Sequence, residues 1–151
     1  MKKFVKTICL FALIFVLTCG FVGCGTSVVG KWTSTSITTK ITTFADESQS
    51  KVVSEQTRDN KKEGEKVVLE LKEDKTATFT VSVINYIPGA GDTKIEQTYT
   101  GTWQEDDDFV YMNCAEGNFK FEKQGRKLVM TEDRSSSIDK TMTVIKTYVL
   151  K

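Results

Sequence analysis

Residues 66–103 read KVVLELKEDKTATFTVSVINYIPGAGDTKIEQTYTGTW and carry the clearest fold signal in the chain. Apolar and polar residues alternate in three segments, and short turns rich in charge or in Gly and Pro separate them. A period of two residues predicts β-strands with one buried face, and short turns predict antiparallel pairing of neighbouring strands. The segments are residues 66–72, 76–87 and 93–103, and the turns are residues 73–75 and 88–92.

The apolar phase changes within the second of these segments. Val81 and Val83 continue the face of Phe79, whereas Ile84 and Tyr86 place apolar side chains on the opposite face. A β-bulge or an edge crossing near Val83 would account for this change.

Strand signals continue on both sides of this region. Residues 30–44 are rich in Thr, which favours a pleated strand. Residues 45–65 are polar, and we expect a solvated loop or lid there, with Asp46 able to cap a short helix. Eight strands joined mainly by short turns predict an all-β, antiparallel up-and-down barrel, with a two-sheet β-sandwich as the alternative. The last four strands are expected at residues 109–114, 118–123, 127–131 and 140–150.

The first 25 residues have the organisation of an export signal. Three lysines within the first six residues precede an apolar run at residues 8–17, which is too short for a membrane span. Small residues then surround Cys19 and Cys24. This stretch resembles a bacterial lipoprotein signal. The resemblance implies cleavage before Cys24 and a diacylglyceryl group, with fatty acids such as palmitate, on its sulfur.

The same resemblance implies a location and three parts. Two acyl chains would hold the protein on the extracytoplasmic face of the cell membrane, in the cell envelope. The parts are a signal peptide (1–23), a lipidated tether (24–29) and a β-barrel domain (30–151). Cys19 is the weaker lipidation candidate because the bulky Thr18 precedes it, and an uncleaved span over residues 4–22 is a further alternative.

Composition excludes several functional classes. The chain has 21 basic and 20 acidic residues, and three of the lysines belong to the signal, so we expect no nucleic-acid partner. It has no histidine, which removes Ser-His and Cys-His catalysis and the common zinc sites. We therefore expect a protein that is not an enzyme and has no cofactor. Only Cys114 remains after Cys24, so no disulfide within the mature chain is expected.

Two groups of residues have the chemistry of metal ligands. Residues 105–108 are four consecutive acidic residues that could bind a hard cation, but they lack the glycine-punctuated spacing of a calcium loop. Met112 and Cys114 share a strand face that Met130 and Met142 could approach, as in a copper site. A solvated turn and core packing are the preferred interpretations, and no metal is expected.

Three short motifs resemble those of the lipocalin-like (calycin) β-barrels and of small bacterial lipoproteins with such domains. They are Gly30-Lys31-Trp32 at the start of the first strand, the segment YTGTW at residues 99–103, and the block at residues 120–131. The resemblance spans about residues 28–151. It implies that Trp32 closes the base of a barrel that holds a small apolar ligand.

The strand phases point five aromatic residues inward, where they would either line a ligand pocket or fill the core. These residues are Phe79, Tyr99, Trp103, Phe119 and Phe121. The sequence thus predicts a lipid-anchored binding protein. The alternative is a protein-interaction module, such as an inhibitor, an adhesion factor or an accessory subunit of the envelope, which uses residues 45–65 and the loop around Pro88.

Overall fold

The structure is a computed structural model that describes residues 27–87, 91–136 and 139–151. Within these residues it contains nine β-strands and no helix. The strands are β1 (Gly30–Phe44), β2 (Val52–Asp59), β3 (Lys66–Leu71), β4 (Thr76–Ile87), β5 (Gly91–Glu105), β6 (Phe109–Cys114), β7 (Gly117–Gln124), β8 (Lys127–Asp133) and β9 (Met142–Leu150).

Eight of the strands form a closed antiparallel barrel. From β3 to β9 each strand pairs with the next one along the chain, and β1 pairs with both β3 and β9. The predicted all-β, up-and-down, lipocalin-like barrel is therefore confirmed, and the sandwich alternative is excluded because the pairing of β1 with β9 leaves one continuous sheet. The ninth strand, β2, lies outside the closed ring and pairs with β1.

β1 exchanges partners along its length. Its first four residues, Gly30–Thr33, pair with β3, while residues 38–44 of the same edge pair with β2. On its other edge, the register with β9 shifts between Ser34 and Ser36, so Thr35 is an extra residue in a β-bulge. The buried side chain before the bulge is Ser34 and the one after it is Ile37. The change of phase explains why the Thr-rich segment has no clear amphipathic pattern.

The prediction of a loop over residues 45–65 is wrong, because β2 occupies its centre. Side chains on both faces of β2 are exposed, so the strand has no alternation of apolar and polar residues for the sequence to reveal. Asp46 does not begin a helix. Its carboxylate accepts hydrogen bonds from the backbone N–H and the hydroxyl of Ser48 within a turn.

Of the two explanations given for the change of phase near Val83, the β-bulge is wrong, whereas the pairing agrees with a change at the strand edge. The ladder between β4 and β5 is regular over its whole length, whereas the pairing of β4 with β3 ends at Ser82. Beyond this point β4 has no partner strand on that edge among the described residues. Ile84 is exposed and lies so close to Gly64 that a Cβ atom there would overlap it, which accounts for an apolar residue on the outer face.

Two tryptophans cover one end of the barrel, which we call the closed end. The indole N–H of Trp32 donates to the carbonyl of Val28 at 2.8 Å, and that of Trp103 donates to the carbonyl of Lys72 at 2.9 Å. The ammonium of Lys75 lies 3.8 Å from the Trp103 ring centroid. Val28 is buried, so packing of the domain begins two residues before the expected boundary at residue 30.

The core fills the barrel above these tryptophans. It contains side chains from every strand of the closed ring, as expected for a barrel of eight strands. Its fully buried members include Ile37, Leu69, Phe79, Val110, Met112, Phe121, Leu128, Tyr148 and Leu150.

The expected signal peptide, residues 1–23, and the expected lipidation site Cys24 lie outside the described residues. Within the part of the chain that the structure describes, no helix is long and apolar enough to cross a membrane.

We predict that Gly101→Ala destabilises the fold. Gly101 of β5 lies opposite Cys114 of β6, and a Cβ atom there would overlap the backbone carbonyl of Asn113. Relief of this overlap requires the two strands to separate, and we expect a loss of about 1–3 kcal/mol in the free energy of unfolding. Urea denaturation followed by tryptophan fluorescence measures it. The control Thr100→Ala changes an exposed side chain in the same strand, and an equal loss there would contradict the argument.

Candidate functional site

The end of the barrel opposite the tryptophans, which we call the open end, has walls of unequal height. On one side the β4–β5 hairpin continues beyond Ser82, where its pairing with β3 stops. On the other side β1, β2 and β9 continue together. Between these walls the β6–β7 hairpin is short, since its last pair, Cys114 with Gly117, lies opposite Gly101 of β5. The low wall leaves the upper interior accessible.

A pocket of about 500 Å³, the open-end pocket, occupies this upper interior. Phe79 of β4, Tyr99 of β5 and Phe119 of β7 form its aromatic floor. The ring centroids of Phe79 and Phe119 are 4.7 Å apart, and those of Tyr99 and Phe119 are 4.9 Å apart. Tilted and edge-on rings at these distances attract one another and hold the floor in one arrangement.

The structure separates the five aromatic residues that the sequence placed inside the barrel. Phe79, Tyr99 and Phe119 border the open-end pocket. Phe121 is fully buried beside Phe79, with ring centroids 5.5 Å apart, and Trp103 lies at the closed end. The lower interior is therefore filled by side chains, whereas the upper interior keeps a pocket.

The wall of the pocket formed by β8 and β9 is polar. The hydroxyl of Tyr148 donates to Glu132 at 3.1 Å, and the Arg134 guanidinium contacts the Tyr148 oxygen at 3.2 Å and Glu132 at 2.7 Å. Burial, reinforced by the negative charge of Glu132, raises the pKa of Tyr148 well above its usual value, so its hydroxyl stays protonated. These three residues form a neutral, hydrogen-bonded patch beside an apolar floor.

A second polar cluster closes the seam where β1 changes partner from β3 to β2. The buried ammonium of Lys146 binds Glu65 at 2.5 Å, and the other oxygen of Glu65 accepts from Asn60. Asn60 also accepts from Thr39 of β1 at 2.7 Å. These contacts hold the β2–β3 connection against the inner wall. Neither polar cluster was predicted from the sequence, because the members of each are far apart in the chain. Alternation along β9 does place Lys146 and Tyr148 on one face.

A larger cleft of about 750 Å³ lies at the closed end, between Trp32 and the β5–β6 and β7–β8 turns. Charged side chains of both signs form most of its lining, and Lys123 pairs there with Glu105 at 2.6 Å. It has no aromatic floor comparable to that of the open-end pocket. We therefore take the smaller open-end pocket as the candidate site.

The residues considered as metal ligands have other contacts. Asp106 accepts the backbone N–H groups of Asp108 and Phe109 and the hydroxyl of Tyr111. Met112 is buried in the core, and the thiol of Cys114 contacts the carbonyl of Gly117 at 2.9 Å. Among the described residues, no three acidic or thiol side chains converge as a metal site.

Comparisons with known proteins add nothing to this geometry: no family model, no curated protein and no solved structure matches the chain.

We predict that breaking the Lys146–Glu65 pair is costly. Their side chains are only 5% and 14% exposed, so Lys146→Met leaves a carboxylate without its partner in a poorly solvated place. We expect a loss of about 3 kcal/mol in the free energy of unfolding. The double variant Lys146→Met/Glu65→Gln should lose less than the sum of the two single changes. Urea denaturation measures all three, and strictly additive losses would contradict direct coupling.

Proposed function

We propose that this chain is a non-enzymatic binding protein of lipocalin-like fold that holds a small ligand with an apolar body in the open-end pocket. The observation that supports it most is the aromatic floor of Phe79, Tyr99 and Phe119 under a pocket of about 500 Å³. This volume lies in the range of small-molecule sites, and burying apolar ligand surface on the rings would drive binding.

The polar groups around the pocket favour binding over catalysis. Glu132, Arg134 and Tyr148 hydrogen-bond to one another, so each is already engaged. The ammonium of Lys120, which also borders the pocket, lies 3.6 Å from the ring centroid of Phe109. Such a set can orient a ligand by hydrogen bonds, and it presents no activated nucleophile.

The test uses a naphthalene probe that carries a photoreactive diazirine, with the full chain in phospholipid nanodiscs. We expect saturable labelling of β4, β5, β7 and β8 residues around the pocket, located by peptide mass spectrometry. Phe119→Ala removes part of the aromatic floor and should weaken labelling about tenfold, since a lost aromatic contact is worth about 1–2 kcal/mol.

Phe109→Ala is the matched control. Phe109 is also partly buried and lies on the neighbouring strand, but it packs against Tyr111 and Lys120 and does not line the pocket. Labelling that is unsaturable, or that both variants weaken equally, would contradict the proposed site.

We also propose that a diacylglyceryl group on Cys24 anchors the protein to the extracytoplasmic face of the cell membrane. The support is the sequence: basic residues, a short apolar run, and Cys24 preceded by Gly23. Cys24→Ala should abolish incorporation of labelled palmitate in a bacterial host and leave an uncleaved precursor. Cys19→Ala should change neither, and the reverse result would assign the anchor to Cys19.

A protein-interaction module remains the second candidate. It is favoured by β2, whose outer edge has no partner strand among the described residues. Val52 and Val53 on this strand are 53% and 64% exposed, which is unusual for two adjacent apolar side chains.

A further inference from the structure

The barrel wall is incomplete beside the open-end pocket. The ladder between β7 and β8 has only three residue pairs, from Glu122 with Val129 to Gln124 with Lys127 at the turn. Both strands continue beyond it, β7 as far as Gly117 and β8 as far as Asp133. We call the gap between these unpaired edges the lateral slot.

The register shows which backbone groups face the slot. Two-residue turns join β6 to β7 and β7 to β8, so Cys114 pairs with Gly117 and Gln124 pairs with Lys127 at the two turns. Because backbone groups alternate between the two edges of an antiparallel strand, the N–H and C=O of Asn118 and Lys120 point towards β8.

The same alternation on β8 points the backbone of Thr131 towards β7. The open-end pocket is also bordered by Asn118, Lys120 and Thr131. Along β7 and β8 these residues alternate with the ones whose side chains face inward. The pocket therefore extends to the edges of β7 and β8 where their pairing has ended. The lateral slot thus borders the open-end pocket on this side.

These edges restrict what can occupy the pocket. A hydrocarbon ligand that covered the slot would remove water from the backbone groups of Asn118, Lys120 and Thr131 without replacing the hydrogen bonds. An extended peptide carries N–H and C=O groups at the spacing of a neighbouring strand. It also sends every second side chain to one face, where the aromatic floor of Phe79, Tyr99 and Phe119 lies.

We propose that the ligand is an extended peptide segment of a partner protein, which adds as a strand along the free edge of β7 and places an apolar side chain on the aromatic floor. This rests on the proposed function, and the apolar body that enters the open-end pocket is then a side chain of the peptide. Backbone hydrogen bonds supply affinity and the floor selects the apolar side chain, as in other strand-addition complexes.

The experiment measures fluorescence anisotropy of a fluorescein-labelled, capped pentapeptide, Thr-Phe-Thr-Val-Thr, with the full chain in nanodiscs and empty nanodiscs as the blank. We expect saturable binding. Lys120→Pro removes the N–H that faces the slot and should weaken binding at least tenfold more than Lys120→Ala, which keeps it. Circular dichroism checks that both variants fold.

A peptide with ester oxygens in place of alternate amide N–H groups tests the same bonds on the unaltered protein, so the proposal stays testable if Lys120→Pro does not fold. One of the two ester patterns should bind at least tenfold more weakly than the all-amide peptide. Equal binding of all peptides would overturn the proposal, as would binding that Val53→Lys weakens and Lys120→Pro does not, because the peptide would then lie on β2.

The photoreactive naphthalene distinguishes failure of the peptide proposal from failure of the proposed function. If it labels the pocket and the peptide does not bind, the ligand is a small apolar molecule; the proposed function stands and the peptide proposal fails. If neither binds, both fail. Capture of a second copy of the chain through the slot, seen as a concentration-dependent dimer, would also overturn the peptide proposal.

Discussion

The fold depends on how β1 pairs. Its ladder with β9 closes the ring, and its two partners on the other edge, β3 and then β2, leave a seam that backbone pairing alone does not fill. The hydroxyl of Ser34 accepts the N–H of Val67 in this seam, and the buried pair of Lys146 with Glu65 holds the loop beside it. Closing the ring thus buries two charged side chains, Lys146 and Glu65. Their burial is tolerated because the two charges pair with each other.

The sequence predicted those parts of the fold whose signal is local. β3 and the first half of β4 alternate with a period of two because each has one face in the core. β2 was missed because neither of its faces is buried, and the bulge at Thr35 was missed because the neighbouring side chains are small and polar. Phe79, Tyr99 and Phe119 were placed inside correctly, but only the register shows that they meet at one level, above Phe121.

The pocket follows from unequal strand lengths more than from any special residue. Eight strands enclose an interior whose lower part is filled by the side chains of the core. Above that level the short β6–β7 hairpin and the three-pair ladder of β7 with β8 remove part of the wall, while β4 and β5 continue. Lengthening one short hairpin would close the site without altering the core beneath it.

The positions of the chain ends determine how the barrel would be oriented on a membrane. Val28 packs against Trp32, and Lys151 exchanges backbone hydrogen bonds with Thr33, so both ends of the described chain emerge at the closed end. If Cys24 carries the proposed acyl group, the three residues from Cys24 to Ser27 allow a span of at most about 10 Å between the lipid and the domain. The closed end, covered by the two tryptophans, would then lie against the lipid headgroups. The open end of the barrel would face away from the membrane.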